Sequence, residues 1–248
     1  MIDKKKIEAE FKRIRSLGFI PSKRKHNTGI GKTFEDYLGV TENNDKLPDF
    51  AGFEVKSQRA LTSSFLTLFT KSPSGPKGAN SYLRDTFGEE YEEYPGLKKL
   101  HTSIFSNKFN SYKGTVGFKI FNDKKNSIVK LKIKDLSTNK IIDDSVHWTY
   151  GDLERALNKK LQALFYVSAD VRKVEDKEKF HYMEATIYLN PNFDKLLKLI
   201  DDGKMMIDIR IGSYKSGKNK GKTHDHGTGF RIKPTDLELL YSDKLEIT

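Results

Sequence analysis

The chain has 248 residues, 36% hydrophobic and 11% aromatic, which is enough for a sizeable buried core and too apolar for a disordered polymer. It has no cysteine, excluding disulfides and thiolate metal sites, and no run approaches the ~18 apolar residues of a membrane span. A net charge of +11, from 45 Lys and Arg against 34 Asp and Glu, points to a polyanionic partner, nucleic acid ahead of membrane.

The N-terminal MIDKKKIEAEFKRI lacks the apolar centre of a signal peptide, so a soluble, intracellular protein is expected. Residues 3–17 place Ile7, Phe11, Ile14 and Leu17 at helical spacing, and Gly18 stops the helix. SKRKHNTGIG reads as a loop rich in Lys, Arg and Gly, leading into a short helix through Phe34, Tyr37 and Leu38. Strands are predicted over 53–58 and 63–70, and KSPSGPKGAN then interrupts the chain as a loop. Stretches 114–122 and 127–134 suit a hairpin around NDKKN, and 162–173 with 180–189 a second around EDKEK. Helices fit 151–160 and 192–201. KMMIDIRIGSY is a strand, 215–227 a polar loop, GFRI a short strand and 234–241 a closing helix. The class is mixed α/β, and 1–248 reads as one unit, two-lobed at most.

Chemistry concentrates in PDFAGFEVKSQ, residues 48–58. Alternation along a strand puts Glu54 and Lys56 on one face and Phe53 and Val55 on the other. Asp49 joins the charged face if Ala51-Gly52 is a two-residue turn, because Phe50 then pairs with Phe53 and Asp49 lies opposite Glu54, with Cβ atoms about 5 Å apart. Two carboxylates so close repel unless a cation lies between them, and Mg²⁺, with its preference for hard oxygen ligands and retained waters, suits the place. Lys56 could then orient the attacking water and steady charge on a phosphate, as metal-assisted phosphodiester hydrolysis requires. The bland alternative is a charged outer face of a hairpin. The same spacing recurs as Asp170, Glu175 and Lys177 in DVRKVEDKEKF, a charge-dense turn without apolar framing, where solvated side chains suffice.

The run GIGKTFEDYLGVTENNDKLPDFAGFEVKSQR resembles the active-site region of the MutH-like branch of the PD-(D/E)xK nucleases. The matching residues are Gly31, Glu35, Leu38-Gly39, Pro48-Asp49, Gly52, Glu54 and Lys56. The later MIDIRIGSYKSGKNKGKTHDHGTGFRI resembles, more narrowly, the MvaI/BcnI restriction endonucleases, and the order of segments and length agree. What the resemblance implies is a restriction-endonuclease-like fold, with a central mixed sheet flanked by helices and two lobes forming a DNA-binding cleft. The catalytic lobe would include about 1–85 and the recognition elements about 204–233. Asp49 and Glu54 would be metal ligands, with Val55 contributing through its main chain, Lys56 the catalytic lysine and Glu35 an auxiliary acid. The enzyme implied is a monomeric, Mg²⁺-dependent type II endonuclease of the bacterial cytoplasm. It would cut double-stranded DNA within CCWGG (W is A or T) and need no obligate protein partner. A mismatch-repair nicking enzyme fits the C-terminal loop less well.

That C-terminal region also reads from its residues. Asp208 and Arg210 share a face with Met206, opposite Ile207, Ile209 and Ile211. An Ile face buried under a solvated charged face would look the same. As a DNA-reading face, Arg210 and Arg231 can grip guanine O6 and N7, and Asp208 can accept from cytosine N4. Tyr214 ends the same strand. Lys215, Lys218, Lys220 and Lys222 lie in an acid-free loop that suits phosphate contacts, although a flexible solvated loop has the same composition. His224 and His226 could bind a metal as His-x-His, but Asp225 would point away from them on a strand, and contacts to bases or phosphates suit them better. His26, His101, His147 and His181 are scattered. GIGKT is no P-loop, since its leading Gly is replaced by His26. Trp148 reads as core. Besides a nuclease, a sequence-reading DNA-binding protein without catalysis and a His-metal nuclease both remain open at this level.

Overall fold

The computed structural model describes residues 2–26, 28–40, 49–60 and 63–247. In chain order the first elements are α1 (Lys4–Ser16), β1 (Ile20–Pro21), α2 (Gly29–Tyr37), β2 (Glu54–Arg59), β3 (Leu66–Thr70), α3 (Ala79–Phe87), β4 (Glu89–Tyr91) and β5 (Tyr94–Ile104). Then follow β6 (Val116–Asp123), β7 (Ile128–Asp135), β8 (Ile141–Asp143), β9 (His147–Thr149), α4 (Tyr150–Lys160), β10 (Ala163–Val174) and β11 (Lys177–Pro191). The last are α5 (Phe193–Asp201), β12 (Met206–Ser213), β13 (Thr223–Asp225), β14 (Gly229–Ile232) and β15 (Tyr241–Ile247). Two compact units result, one of residues 1–66, 157–192 and 237–248, the other of 67–156 and 193–236. Residues 67–85, placed by the sequence with the catalytic lobe, cluster with the second unit. Among the described residues, no helix is long and apolar enough to cross a membrane.

The first unit begins with α1. Its N-terminus is capped by Asp3, whose carboxylate accepts from the Lys6 N–H at 3.0 Å, a contact that contributes about 1 kcal/mol. Ile7, Phe11 and Ile14 are fully buried, and Gly18 ends the helix in the left-handed region at φ +67°. Leu17, expected on the apolar face, lies past the last turn as the C-cap and is 48% exposed. The sheet of this unit runs β1-β11-β10-β2, with β15 also paired to β11. Only β10 and β2 are parallel, so the sheet is mixed as expected. The inner faces of α1 and α2 share one core with Phe53, Val55, Phe165 and Val167. Burying each such side chain stabilises the fold by about 1.5–3 kcal/mol. The β10–β11 hairpin closes as Val174 pairs with Lys177 around Glu175 and Asp176, both at positive φ. The second Asp-Glu-Lys spacing is therefore an exposed hairpin tip.

The second unit holds a sheet of order β3-β14-β12-β5-β4, with β13 on β12, and a smaller one of β6-β7-β8, with β9 on β7. The β6–β7 hairpin and α4 and α5 match expectation. Several stretches do not, β8 and β9 among them, which are three residues each. KSPSGPKGAN ends by starting α3, and β4 and β5 follow where no element was predicted; β5 is stabilised by β12, far away in sequence, and β4 pairs with β5. Residues 215–227 are not wholly loop, since Thr223–Asp225 pairs with Ile211–Ser213. Residues 234–241 do not form an α-helix but a 3-10 turn, Pro234–Leu239, before β15 takes an edge of the first unit's sheet. Trp148 is core, fully buried, with its indole N–H donating to the Lys71 carbonyl at 2.9 Å.

Candidate active site and nucleic-acid interface

The first unit's site is built by a tight turn. Phe50 and Phe53 exchange both backbone hydrogen bonds, at 3.1 and 2.8 Å, and Ala51 and Gly52 take φ of +50° and +83° between them. This is the two-residue turn proposed from the sequence, achieved by placing an alanine where glycine or asparagine is preferred. Pairing of Phe50 with Phe53 sets Asp49 opposite Glu54, and the Asp49 carboxylate accepts from the Val55 N–H at 2.9 Å. Pro48 and residues 41–47 lie outside the described residues.

Phe53 and Val55 face the core, so Glu54 and Lys56 turn to the other side, yet Glu54 is also buried, at 1% exposure. Its Oε1 accepts from Lys56 Nζ at 2.6 Å, and Lys160 Nζ, at the end of α4, lies 3.7 Å from the same oxygen. Its Oε2 is buried without a hydrogen-bond partner. A buried carboxylate oxygen left unsatisfied is costly unless something positive meets it. Burial pushes the Tyr241 phenol pKa up, and the nearby Glu54 charge pushes it further. Glu35 is half-buried on α2, which packs on β2, and its charge adds to burial in raising the Tyr182 phenol pKa. Gln58, on the same face as Glu54 and Lys56, also buries a side-chain oxygen without a partner.

These donors fit a hard divalent cation. Mg²⁺ is commonly held by one or two carboxylates, with waters and substrate completing its shell. Asp49, Glu54 and the Val55 main chain suit that pattern. No group of three or more His, Cys, Asp or Glu side chains gathers anywhere among the described residues, so here two carboxylates and a main-chain group would share the ion with waters. GIGKT forms the first turns of α2, and Lys32 pairs with Asp36 at 2.8 Å rather than standing ready for a nucleotide.

The second unit carries the candidate reading surface. Ile207, Ile209 and Ile211 are fully buried. On the other face of β12, Asp208 is 3% exposed, and its carboxylate binds Ser103 Oγ at 2.8 Å, Arg210 at 3.0 Å and Arg231 at 2.8 Å. Arg231 sits there because it pairs with Met206 across β14. Asp208 thus holds two guanidiniums in a fork. His101, unassigned from sequence, faces Arg210 across β5, and its pKa is lowered by burial first and then by Arg210. Both causes favour the neutral imidazole, in which one ring nitrogen donates while the other accepts.

Beyond β12, Tyr214 stacks on His224 at 4.4 Å, and His226 lies 4.2 Å from His224. Asp225 turns away, accepting from Ser72, Asn80 and the Gly227 N–H. Lys218 lies in a 3-10 turn, Lys220 follows it, and Lys222 reaches Asn219 at 3.3 Å. Lys215 sits over the Tyr91 and Tyr94 rings at 4.7 Å from each. The loop is fastened by Arg84, only 7% exposed, which donates to Ser213 Oγ at 3.1 Å and the Gly221 carbonyl at 3.2 Å. Arg84→Ala strands those acceptors, so unfolding in urea is expected to show a loss of about 2–3 kcal/mol. A change under about 0.5 kcal/mol would mean that Arg84 does not hold the loop.

A model of the MvaI/BcnI restriction endonuclease family matches residues 8–241. The complex of restriction endonuclease MvaI with its cognate DNA substrate aligns with a TM-score of 0.89 and 37% identity, covering 100% of both chains. Restriction endonuclease MvaI in the absence of DNA aligns with a TM-score of 0.68 and 36% identity, covering 100% of this chain and 99% of that one. No curated protein matches. The fold is therefore that of the type II restriction endonucleases, site-specific DNA endonucleases that generally use divalent metal ions. Within that class the chain belongs to the MvaI/BcnI family, as a relative of MvaI at 37% identity and not MvaI itself.

Proposed function

We propose that the protein is a monomeric, Mg²⁺-dependent enzyme of the bacterial cytoplasm that hydrolyses double-stranded DNA within CCWGG. The observation that carries the chemistry is the buried Glu54 carboxylate, with one oxygen gripped by Lys56 and the other unmet. Asp49, Glu54 and the Val55 carbonyl would hold the cation. When bound, Mg²⁺ supplies a Lewis acid that stabilises phosphate charge and lowers the pKa of water. Lys56, fixed on the same face, donates to the attacking water or to the phosphate oxygen on which charge builds. Lys160 adds a second ammonium 3.7 Å from the same carboxylate oxygen. Glu35 serves as an auxiliary acid from α2.

The target rests on the family resemblance and on the arginine fork. Arg210 and Arg231, aimed by one carboxylate, suit two guanines, and each bidentate grip discriminates by about 1–3 kcal/mol. Asp208 is buried and spends its oxygens on Ser103, on Arg210 twice and on Arg231, so it aims the arginines rather than accepting from a cytosine N4 as the sequence suggested. His101, His224, His226 and Tyr214 complete the base-facing surface, with Lys218, Lys220 and Lys222 on phosphates. Incubating plasmid with protein and Mg²⁺ is expected to give discrete fragments, and EDTA in place of Mg²⁺ to give none. Cutting that persists in EDTA, or binding with no cutting at any Mg²⁺ concentration, refutes this reading.

A further inference from the structure

We propose that the catalytic unit grips the DNA backbone a second time, in a rigid basic groove at the far end of β2. This deepens the nuclease reading and rests on it for the identity of the polyanion. The groove, of about 720 Å³, is lined by Lys23, Arg24, Lys25, Arg59, Lys173 and Lys177. Its two acids are already engaged, Glu178 with Arg59 at 2.7 Å and Asp176 with Lys173 at 2.7 Å. The cationic excess therefore faces outward.

Both walls are held by backbone. Ser22 donates its N–H to the Glu178 carbonyl at 2.8 Å and its hydroxyl to the Arg24 carbonyl at 2.6 Å, and the Lys23 N–H donates to Thr33 Oγ1 at 2.9 Å. Gly29 permits this closure, because a Cβ there would lie 2.4 Å from the Arg24 carbonyl oxygen. The opposite wall is the β10–β11 hairpin tip. Lys23, Lys25, Lys173 and Lys177 are exposed on this frame, so little chain entropy is lost when they meet an anion.

Position selects the anion. β2 leads from Glu54 to Arg59, five residue steps that span about 17 Å. Duplex DNA rises about 3.4 Å per phosphate on each strand, so the groove lies within about five base pairs of the carboxylate pair. That reach meets phosphates at the edge of a short target or beyond it. Lysine-rich contacts of this kind add affinity without reading sequence.

The test compares the full chain with Lys25→Ala/Lys177→Ala. Binding is measured in EDTA, across KCl concentrations, to a duplex carrying CCWGG and to one without it. The log–log salt slope is expected to shrink by about 2, roughly 0.9 for each phosphate that a lysine no longer neutralises, and equally on both duplexes. Lys25→Ala alone should shrink it by about 1, whereas the position of Mg²⁺-dependent cutting stays unchanged. An unaltered slope, a weakening confined to the target-bearing duplex, or weakened binding only to anionic lipid vesicles overturns the proposal. A wild type that shows the larger slope but never cuts overturns the nuclease reading and leaves the groove standing. A wild type that cuts with no slope difference does the reverse.

Discussion

Glu54→Gln is expected to lower DNA cleavage by about 10³-fold or more while leaving the metal-free protein at least as stable as wild type. Both halves follow from one environment. The carboxylate is 1% exposed and has an oxygen with no hydrogen-bond partner, so without a metal ion its desolvation cost is only partly offset. The side chains of its two ammonium partners, Lys56 and Lys160, are 27% and 31% exposed and can turn to water when the charge is removed. Neutralising Glu54 should therefore change metal-free stability by no more than about 1 kcal/mol, in the stabilising direction. Metal separates the proteins. Mg²⁺ at about 100 times its dissociation constant should stabilise wild type by about 2.7 kcal/mol and Glu54→Gln far less. Thermal unfolding with and without Mg²⁺ reads this without any cleavage assay. Equal stabilisation of both proteins would remove Glu54 from the metal site.

Asp208→Ala is expected to reduce the preference for target over non-target DNA by about 10²-fold or more, while affinity for non-target DNA holds or rises. Asp208 touches both Arg210 and Arg231, so its removal takes the aiming carboxylate from two guanidiniums at once. Each aimed arginine is worth about 1–3 kcal/mol of base discrimination. The variant also gains net positive charge, which favours sequence-independent phosphate binding. Arg210 and Arg231 keep 42% and 26% side-chain exposure, so they are partly rehydrated. The stability loss should therefore stay near about 2–3 kcal/mol. Competition binding with matched duplexes measures the ratio, and Asp208→Asn, which keeps shape but not charge, should fall between the two. A ratio unchanged in Asp208→Ala would mean that the fork does not read bases.

Local signals made the hairpin of Asp49 and Glu54 legible. Phe53 and Val55 alternate with Glu54 and Lys56, and Ala51-Gly52 could bring Asp49 across, as the structure shows. The two long hairpins were equally plain, because apolar alternation breaks at charged turns such as Glu175-Asp176. Partners distant in sequence were not legible. Lys160 reaches Glu54 only because α4 delivers its last residue beside β2. His101 meets Arg210 through a β5–β12 register that no local pattern encodes. Arg84 sits in α3, hidden behind a Pro- and Gly-rich stretch that read as loop. The final strand was missed because its burial pattern shows one long exposed run rather than alternation.

Sequencing the ends of genomic DNA digested by the full chain in Mg²⁺ tests the central claim most directly. Every end should map to one fixed bond inside CCWGG, and Glu54→Gln should produce no such ends. Ends scattered over unrelated sequences, or identical ends from Glu54→Gln, would contradict it.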